Sequence, residues 1–202
     1  MLIEPADDDP IRQYTGPEEQ TLTRNLFQIT EQVRRIDSKT KQYSIELICS
    51  WHRQLFDGVR DHAGRYRTAD YGEDRLNFGP HRSVARADVP RELAKHVQSV
   101  NNLLDQLVTL ERSLQPSRFV KEIIRAALYI HAELIQIHPF RDGNGRIARV
   151  GITYFLCKFD LPTIIFEVLR QEYIDALNHY YITKDLEPLI TLALRIYRNQ
   201  LG

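Results

Sequence analysis

A chain of 202 residues that is 43% hydrophobic and 27% charged has the apolar content for one substantial core, which excludes a wholly disordered polymer. Its 27 Lys and Arg are balanced by 27 Asp and Glu, so no global field draws it onto nucleic acid or an anionic membrane, and any anion binding has to be local. Cys49 and Cys157 lie far apart and fit neither a disulfide framework nor a zinc spacing. They read as structural thiols in a reducing compartment, the cytoplasm.

The opening MLIEPADDDPIRQY is acidic and broken by Pro5 and Pro10, unlike a cleaved secretion signal, and no run reaches the roughly 20 apolar residues of a membrane span. Residues 1–18 read as a flexible arm closed by Gly16-Pro17, and residues 19–202 as one domain. Leu22, Leu26, Ile29, Val33 and Ile36 recur at helical spacing and predict a helix from Glu19 to Arg35. A second follows over about 40–58, with Ile45, Leu47, Ile48, Trp51 and Leu55 as its inner face. Residues 61–90 are rich in Gly, Pro and Asp and read as a loop carrying a short β-hairpin. Helical pattern resumes over about 91–113 and again after Gln115-Pro116. There Val120, Ile123, Ile124, Ala127, Leu128, His131, Leu134 and Ile135 form one stripe, as expected of the central helix of a bundle. Pro139 stops it, another helix runs from Arg146 to before Pro162, and two more are predicted over about 169–181 and 187–198. The fold class is therefore all-α, a helical bundle with one small β element.

The chemistry concentrates in HPFRDGNGRIAR, residues 138–149. Gly143-Asn144-Gly145 permits positive φ and close backbone approach, so consecutive N–H groups converge where the next helix presents its positive end. Arg146 and Arg149, three apart, share a face at that helix start, a poor position for cations unless an anion is present. Guanidinium forks suit phosphate oxygens, which points to a polyphosphate. Asp142 beside such an anion needs a bridging hard cation, Mg²⁺. His138 at the edge has the chemistry to take a proton from an incoming hydroxyl, giving phosphoryl or nucleotidyl transfer. Taken singly, a histidine at a helix end is most often a satisfied cap and an arginine-rich turn is most often solvated. Their coincidence within twelve residues carries the functional reading.

This string resembles the signature of the Fic family, His-x-Phe-x-(Asp/Glu)-Gly-Asn-Gly-Arg-x-x-Arg. Every fixed position is met by His138, Phe140, Asp142, Gly143, Asn144, Gly145, Arg146 and Arg149. HAGRYR at 62–67 is similar to the family's Ala-Gly-x-Tyr-Arg element before its flap, and the likeness extends over roughly 45–195. The resemblance implies a Fic-like helical bundle with a hairpin flap and transfer of AMP from ATP to a Ser, Thr or Tyr hydroxyl of a target protein. It makes His138 the general base, Asp142 the Mg²⁺ ligand and Phe140 a core anchor. Gly143, Asn144 and Gly145 would cradle the α- and β-phosphates, Arg146 and Arg149 the β/γ end, and Tyr173 the adenine pocket, although a Tyr on an apolar face is more often core. The flap would lie within 71–89, around NFGPHRSV, and pair with the target as an added strand. Related Doc kinases carry Lys at the position of Gly145, so the glycine favours nucleotidyl transfer. The alternatives are another donor (UTP, a phosphocholine donor or γ-phosphate transfer) and a non-catalytic module that senses nucleotide.

Many Fic enzymes are silenced by Ser/Thr-x-x-x-Glu-Gly/Asn. Here Thr15 to Glu19 is followed by Gln20, Thr163 to Glu167 by Val168 and Thr183 to Glu187 by Pro188, so none completes it. Gly16-Pro17 also disfavours a helix at Thr15. The resemblance then implies a separate small inhibitory protein docking on the N-terminal helices, or another mechanism. His131, His138 and nearby Glu133 invite a metal site, but the stripe position of His131 favours a buried, hydrogen-bonded histidine. His52, His62, His81, His96 and His179 form no ligand spacing.

Overall fold

The computed structural model describes residues 14–35, 42–78, 80–111, 114–164 and 170–201. Among the described residues seven α-helices, α1 (Gly16–Arg35), α2 (Ile45–Leu55), α3 (Val89–Leu110), α4 (Pro116–Ile137), α5 (Asn144–Cys157), α6 (Arg170–Thr183) and α7 (Glu187–Leu201), pack around one core. A single hairpin, β1 (Asn77–Phe78) with β2 (His81–Arg82), is the only sheet among the described residues. Each predicted helix is present with ends shifted by a few residues. The all-α reading holds.

α4 is the axis of the bundle, packing against α3, α5, α6 and α7. Ile123, Ile124, Ala127, Leu128, His131, Leu134 and Ile135 of the predicted stripe are buried. Each fully buried Ile or Leu contributes about 1.5–3 kcal/mol relative to exposure. α1 lies across α5 and α2. Tyr43, Trp51 and Tyr154 meet with ring centroids 5.6–6.1 Å apart, joining α2 to α5, and the Tyr43 hydroxyl lies 3.2 Å from His96 Nε2 of α3. Cys49 and Cys157 are not disulfide-bonded. No described helix is long and apolar enough to cross a membrane.

The N-terminal boundary differs from expectation. α1 opens at Gly16, not Glu19, and Tyr14 and Glu18 are partly buried against the domain, through Asp142 and Arg60; residues 1–13 lie outside the described residues. The reason is local. Thr15 donates its N–H to Glu18 Oε2 at 2.8 Å and its hydroxyl to the same oxygen at 3.0 Å, and its carbonyl accepts from Glu19 N at 3.0 Å, so Glu18 supplies the carboxylate half of a capping box. Pro17 in the first turn has no N–H, where none is needed. The breaker argument applied to Gly16-Pro17 thus fails because it treats a helix start as a helix interior.

Candidate active site

α4 ends where Pro139 forbids its continuation, and His138 before it takes the left-handed conformation, φ 51° and ψ 60°. The chain then turns through residues 139–143 and re-enters a helix at Asn144, with Gly143 at φ 74° as the residue before it. A β-carbon on Gly143 would lie 2.6 Å from the ring of Phe56, so the glycine serves both the positive φ and the close approach to α2.

The side chains of the turn divide into two groups. Phe140 is fully buried and stacks on His52, rings 3.9 Å apart and 7° from parallel. Asn144 accepts from Phe140 N at 2.8 Å and donates to Phe140 O at 2.9 Å, which closes a four-residue ring within the turn. Its side-chain amide is thereby committed to the fold, leaving its backbone N–H at the helix start as the part that can face an anion. The other group carries the charged and titratable side chains. Asp142, 4% exposed, accepts from Gly143 N at 2.6 Å and lies 3.5 Å from Arg146 Nη2. Arg146 is in the first turn of α5 and buried; Arg149 is in the second turn and half-buried, so only Arg146 sits at the helix start proper. His138 Nδ1 lies 3.3 Å from the Ile135 carbonyl. A carbonyl only accepts, so Nδ1 carries the proton and Nε2 is the basic nitrogen of the neutral ring.

Residues 42–156 match the Fic/DOC family, more than half of the chain. The chain belongs to the Fic/DOC family. It is 28% identical over 162 residues to a protein adenylyltransferase Fic of Nematostella vectensis, covering 78% of this chain and 33% of that protein. It is 26% identical over 190 residues to protein adenylyltransferase VbhT of Bartonella schoenbuchensis, covering 86% of this chain and 37% of that protein. The chain therefore spans about a third of the length of these relatives. A 73-residue stretch is also 36% identical to a ribonucleoside-diphosphate reductase small chain of Ostreid herpesvirus 1, but this covers 12% of that protein and 36% of this chain, too little to define a family. The solved structure of a Fic-1 fragment from C. elegans superposes with a TM-score of 0.71 at 22% identity, over 94% of this chain and 52% of that one. That likeness establishes the fold.

Around the Fic turn the structure gathers residues that sequence reasoning passed over. In sequence, His52 belongs to no ligand spacing. It accepts from Gly64 N at Nδ1, 2.8 Å, so its Nε2–H donates to the Asp142 carbonyl at 3.1 Å. Its only signal was position, on the buried face of α2. Tyr14 was assigned to the arm. Its hydroxyl donates to Asp142 Oδ2 and accepts from Arg146 Nη2 at 3.1 Å, with the Arg60 and Arg146 guanidiniums against its ring. Burial is the main reason its pKa is raised well above the ordinary tyrosine value. The capping-box spacing Thr15-x-x-Glu18 was the signal that could have placed it. Tyr173 packs on His131, its hydroxyl bonded to His131 Nε2. His131 itself is buried and held neutral, its pKa pushed down to about 3 by burial and then by Arg149.

The predicted hairpin is where expected, with Asn77 opposite Arg82 and Phe78 opposite His81; Gly79 lies outside the described residues. Phe78 lies parallel over the His138 ring, 5.2 Å between centroids and 9° between planes, and meets Tyr181 of α6 edge-on. His81 Nε2–H donates to Asn178 Oδ1 at 2.9 Å. The flap is thus seated directly on the imidazole.

Asp142 fits a magnesium ion as a single hard oxygen donor, because Mg²⁺ commonly takes one or two carboxylates and completes its shell from substrate oxygens and water. Among the described residues no three His, Cys, Asp or Glu side chains converge, so such an ion would draw most of its ligands from the nucleotide.

Proposed function

We propose that this chain is a protein adenylyltransferase that transfers AMP from Mg-ATP to a hydroxyl of a target protein docked against the β1–β2 flap. The single observation that carries the reading is the juxtaposition at the α4–α5 corner. An imidazole with its proton on Nδ1 lies beside a left-handed glycine turn, Asp142 and the cationic start of α5. A turn that only sensed nucleotide would have no use for an imidazole whose Nε2 is kept as the basic nitrogen. The naming of the Nematostella and Bartonella relatives supports the reaction class.

In this reading the N–H groups at the start of α5, with Arg146 and Arg149, hold the triphosphate. Asp142 would hold Mg²⁺, which when bound would neutralise charge on the phosphate oxygens. His138 Nε2 takes the proton of the target hydroxyl as that oxygen attacks the α-phosphorus, and pyrophosphate leaves. The flap backbone aligns the target chain as an added strand. Gly145 leaves the turn without the Lys found in the related kinases, which favours nucleotidyl over γ-phosphoryl transfer.

Among the described residues, the Thr15 and Thr183 segments supply no blocking carboxylate. Thr15 caps α1 with Glu18 while Glu19 is exposed, Glu187 pairs with Arg125, and Glu167 lies outside the described residues. An inhibitory partner docking beside α1 remains part of the proposal.

Incubation of the purified chain with α-labelled or γ-labelled ATP and a lysate tests the reading. Label enters protein from the α position only, and His138→Ala abolishes it while calorimetry still records Mg-ATP binding. Entry of γ-label, or undiminished α-labelling by His138→Ala, overturns it.

A further inference from the structure

Arg67 is fully buried, an unusual state for a guanidinium, and no carboxylate is among its hydrogen-bond partners. Its donors fan out in two directions. Toward the α4–α5 corner, Nε and Nη2 reach the His138 carbonyl at 3.0 and 2.8 Å and Nη2 reaches the Ile137 carbonyl at 3.3 Å, while its own backbone N–H donates to the Pro139 carbonyl at 2.8 Å. Three successive carbonyls of the corner are held by one residue. Toward the flap, Nη1 donates to the Glu73 and Asp74 carbonyls at 3.1 and 3.0 Å, and Nη2 to Ser83 Oγ at 3.0 Å and the Val84 carbonyl at 3.2 Å. These acceptors lie on both sides of the hairpin, before β1 and after β2. Ser83 Oγ accepts in turn from Leu76 N at 2.9 Å, joining the two stems of the flap.

A buried charge of this kind is costly unless every donor is used. Burial also pulls its pKa down, to about 10, still far above neutrality. Only the planar fork of arginine can serve carbonyls on two separate segments; the ammonium of lysine is a point with three donors. The backbone is shaped to admit it. Gly72 stands at φ 86°, and a β-carbon there would approach Arg67 Cγ to 2.9 Å. His138, a non-glycine residue at positive φ, is a conformation that persists where its surroundings hold it. The carbonyl that Arg67 grips twice is the one that follows this φ.

We propose that Arg67 is a positioning residue that fixes the flap and His138 in one frame, holding the general base in its left-handed conformation and setting its distance from the strand edge where the target docks. The meaning of base and docking edge rests on the adenylyltransferase reading; the mechanical coupling does not, and it is measured separately. Arg67 touches no reacting atom and acts through the His138 carbonyl and the hairpin base.

Hydrogen exchange and histidine NMR on the full chain test it, with Arg67→Lys and Ser83→Ala. Arg67→Lys exchanges the amides of Leu76 and Ser83 and that of His138 at least tenfold faster and moves the His138 ring signals, while amides of α3 and α7 keep their rates. Its kcat for α-label transfer falls at least tenfold while the Mg-ATP Kd from calorimetry stays within twofold. Ser83→Ala, which spares the corner side of the fork, speeds flap exchange and lowers kcat by a smaller factor; it decides the matter if Arg67→Lys does not fold. Unchanged flap exchange and His138 signals in the folded variants, or acceleration shared equally by all helices, overturns the proposal and leaves Arg67 as a general core residue. If wild-type protein transfers no label, the adenylyltransferase reading fails while the exchange and NMR results still decide the coupling.

Discussion

Replacing Gly143 by alanine isolates the geometry on which the proposed phosphate seat depends. At φ 74° a β-carbon costs about 1–2 kcal/mol in backbone strain. The same β-carbon would lie 2.6 Å from Phe56 Cε2, 3.1 Å from Cζ and 3.2 Å from Leu55 Cδ2. Phe56 and Leu55 are both fully buried, so neither can swing into solvent, and overpacking of this kind costs about 1–3 kcal/mol. The sum is roughly 2–5 kcal/mol, or roughly 5–15 °C in Tm for a chain of this size. Gly151 provides the internal control. It lies within α5, and a β-carbon there meets only the Tyr43 hydroxyl, at 3.9 Å. Gly151→Ala is therefore expected to stabilise the protein by about 0.5–1 kcal/mol through helix propensity. Urea denaturation followed by far-UV circular dichroism measures both. Opposite signs eight residues apart are the expected result. Equal behaviour of the two variants, or a Gly143→Ala cost under about 0.5 kcal/mol, refutes the close approach of the turn to α2.

Three further outcomes follow from the site and its surroundings. Asn144→Asp keeps an acceptor for Phe140 N but turns a second acceptor on Phe140 O, 2.9 Å away in the wild type, and is expected to cost about 1–3 kcal/mol by thermal melting at pH 7. Tyr14→Phe removes the hydroxyl between Asp142 and Arg146 and is expected to cost about 1–2 kcal/mol in urea titrations, whereas a variant indistinguishable from wild type would detach Tyr14 from the site. Burial lowers the pKa of His96 to about 4 and of His131 to about 3, from an ordinary 6.5. Between about pH 4 and 6.5 the unfolded chain therefore binds more protons than the folded one. Stability is full above pH 6.5 and declines as pH falls, by on the order of 3–4 kcal/mol at pH 5 for the pair. His96→Gln is expected to remove about half of that pH 7 to pH 5 difference; an unaltered difference would show that His96 does not titrate on unfolding.

The helices were legible because their information is local. The stripe from Ile123 to Ile135 repeats at the helical period, and Pro116 and Pro139 each stand at or beside a boundary. The functional turn was legible for the same reason, since its histidine, carboxylate, glycines and arginines are contiguous from 138 to 149. The start of α1 was misread because Gly16-Pro17 was weighed as interior residues when Thr15 and Glu18 make them a first turn. Tyr14 was lost with it, although the residue lies against Asp142 from 128 positions away.

What escaped the sequence shares one physical character. Arg67 holds the His138 carbonyl, His52 holds the Asp142 carbonyl, and Asn144 holds the N–H and carbonyl of Phe140. The turn is fastened by its main chain, whose polar groups are the same at every residue and so leave no mark in the residues being fastened. Arginine, histidine and asparagine are the side chains that reach backbone acceptors with directed N–H donors. Each appears here in a state that looks wasteful in sequence: a buried cation, a histidine with no ligand spacing, an amide beside glycines. Most of the fastening therefore falls on Arg67, His52 and Asn144, with Asp142 adding one bond to Gly143 N and His138 one to the Ile135 carbonyl. On the adenylyltransferase reading, that division lets most of the loop keep its shape while His138, Asp142 and Arg146 change partners during turnover.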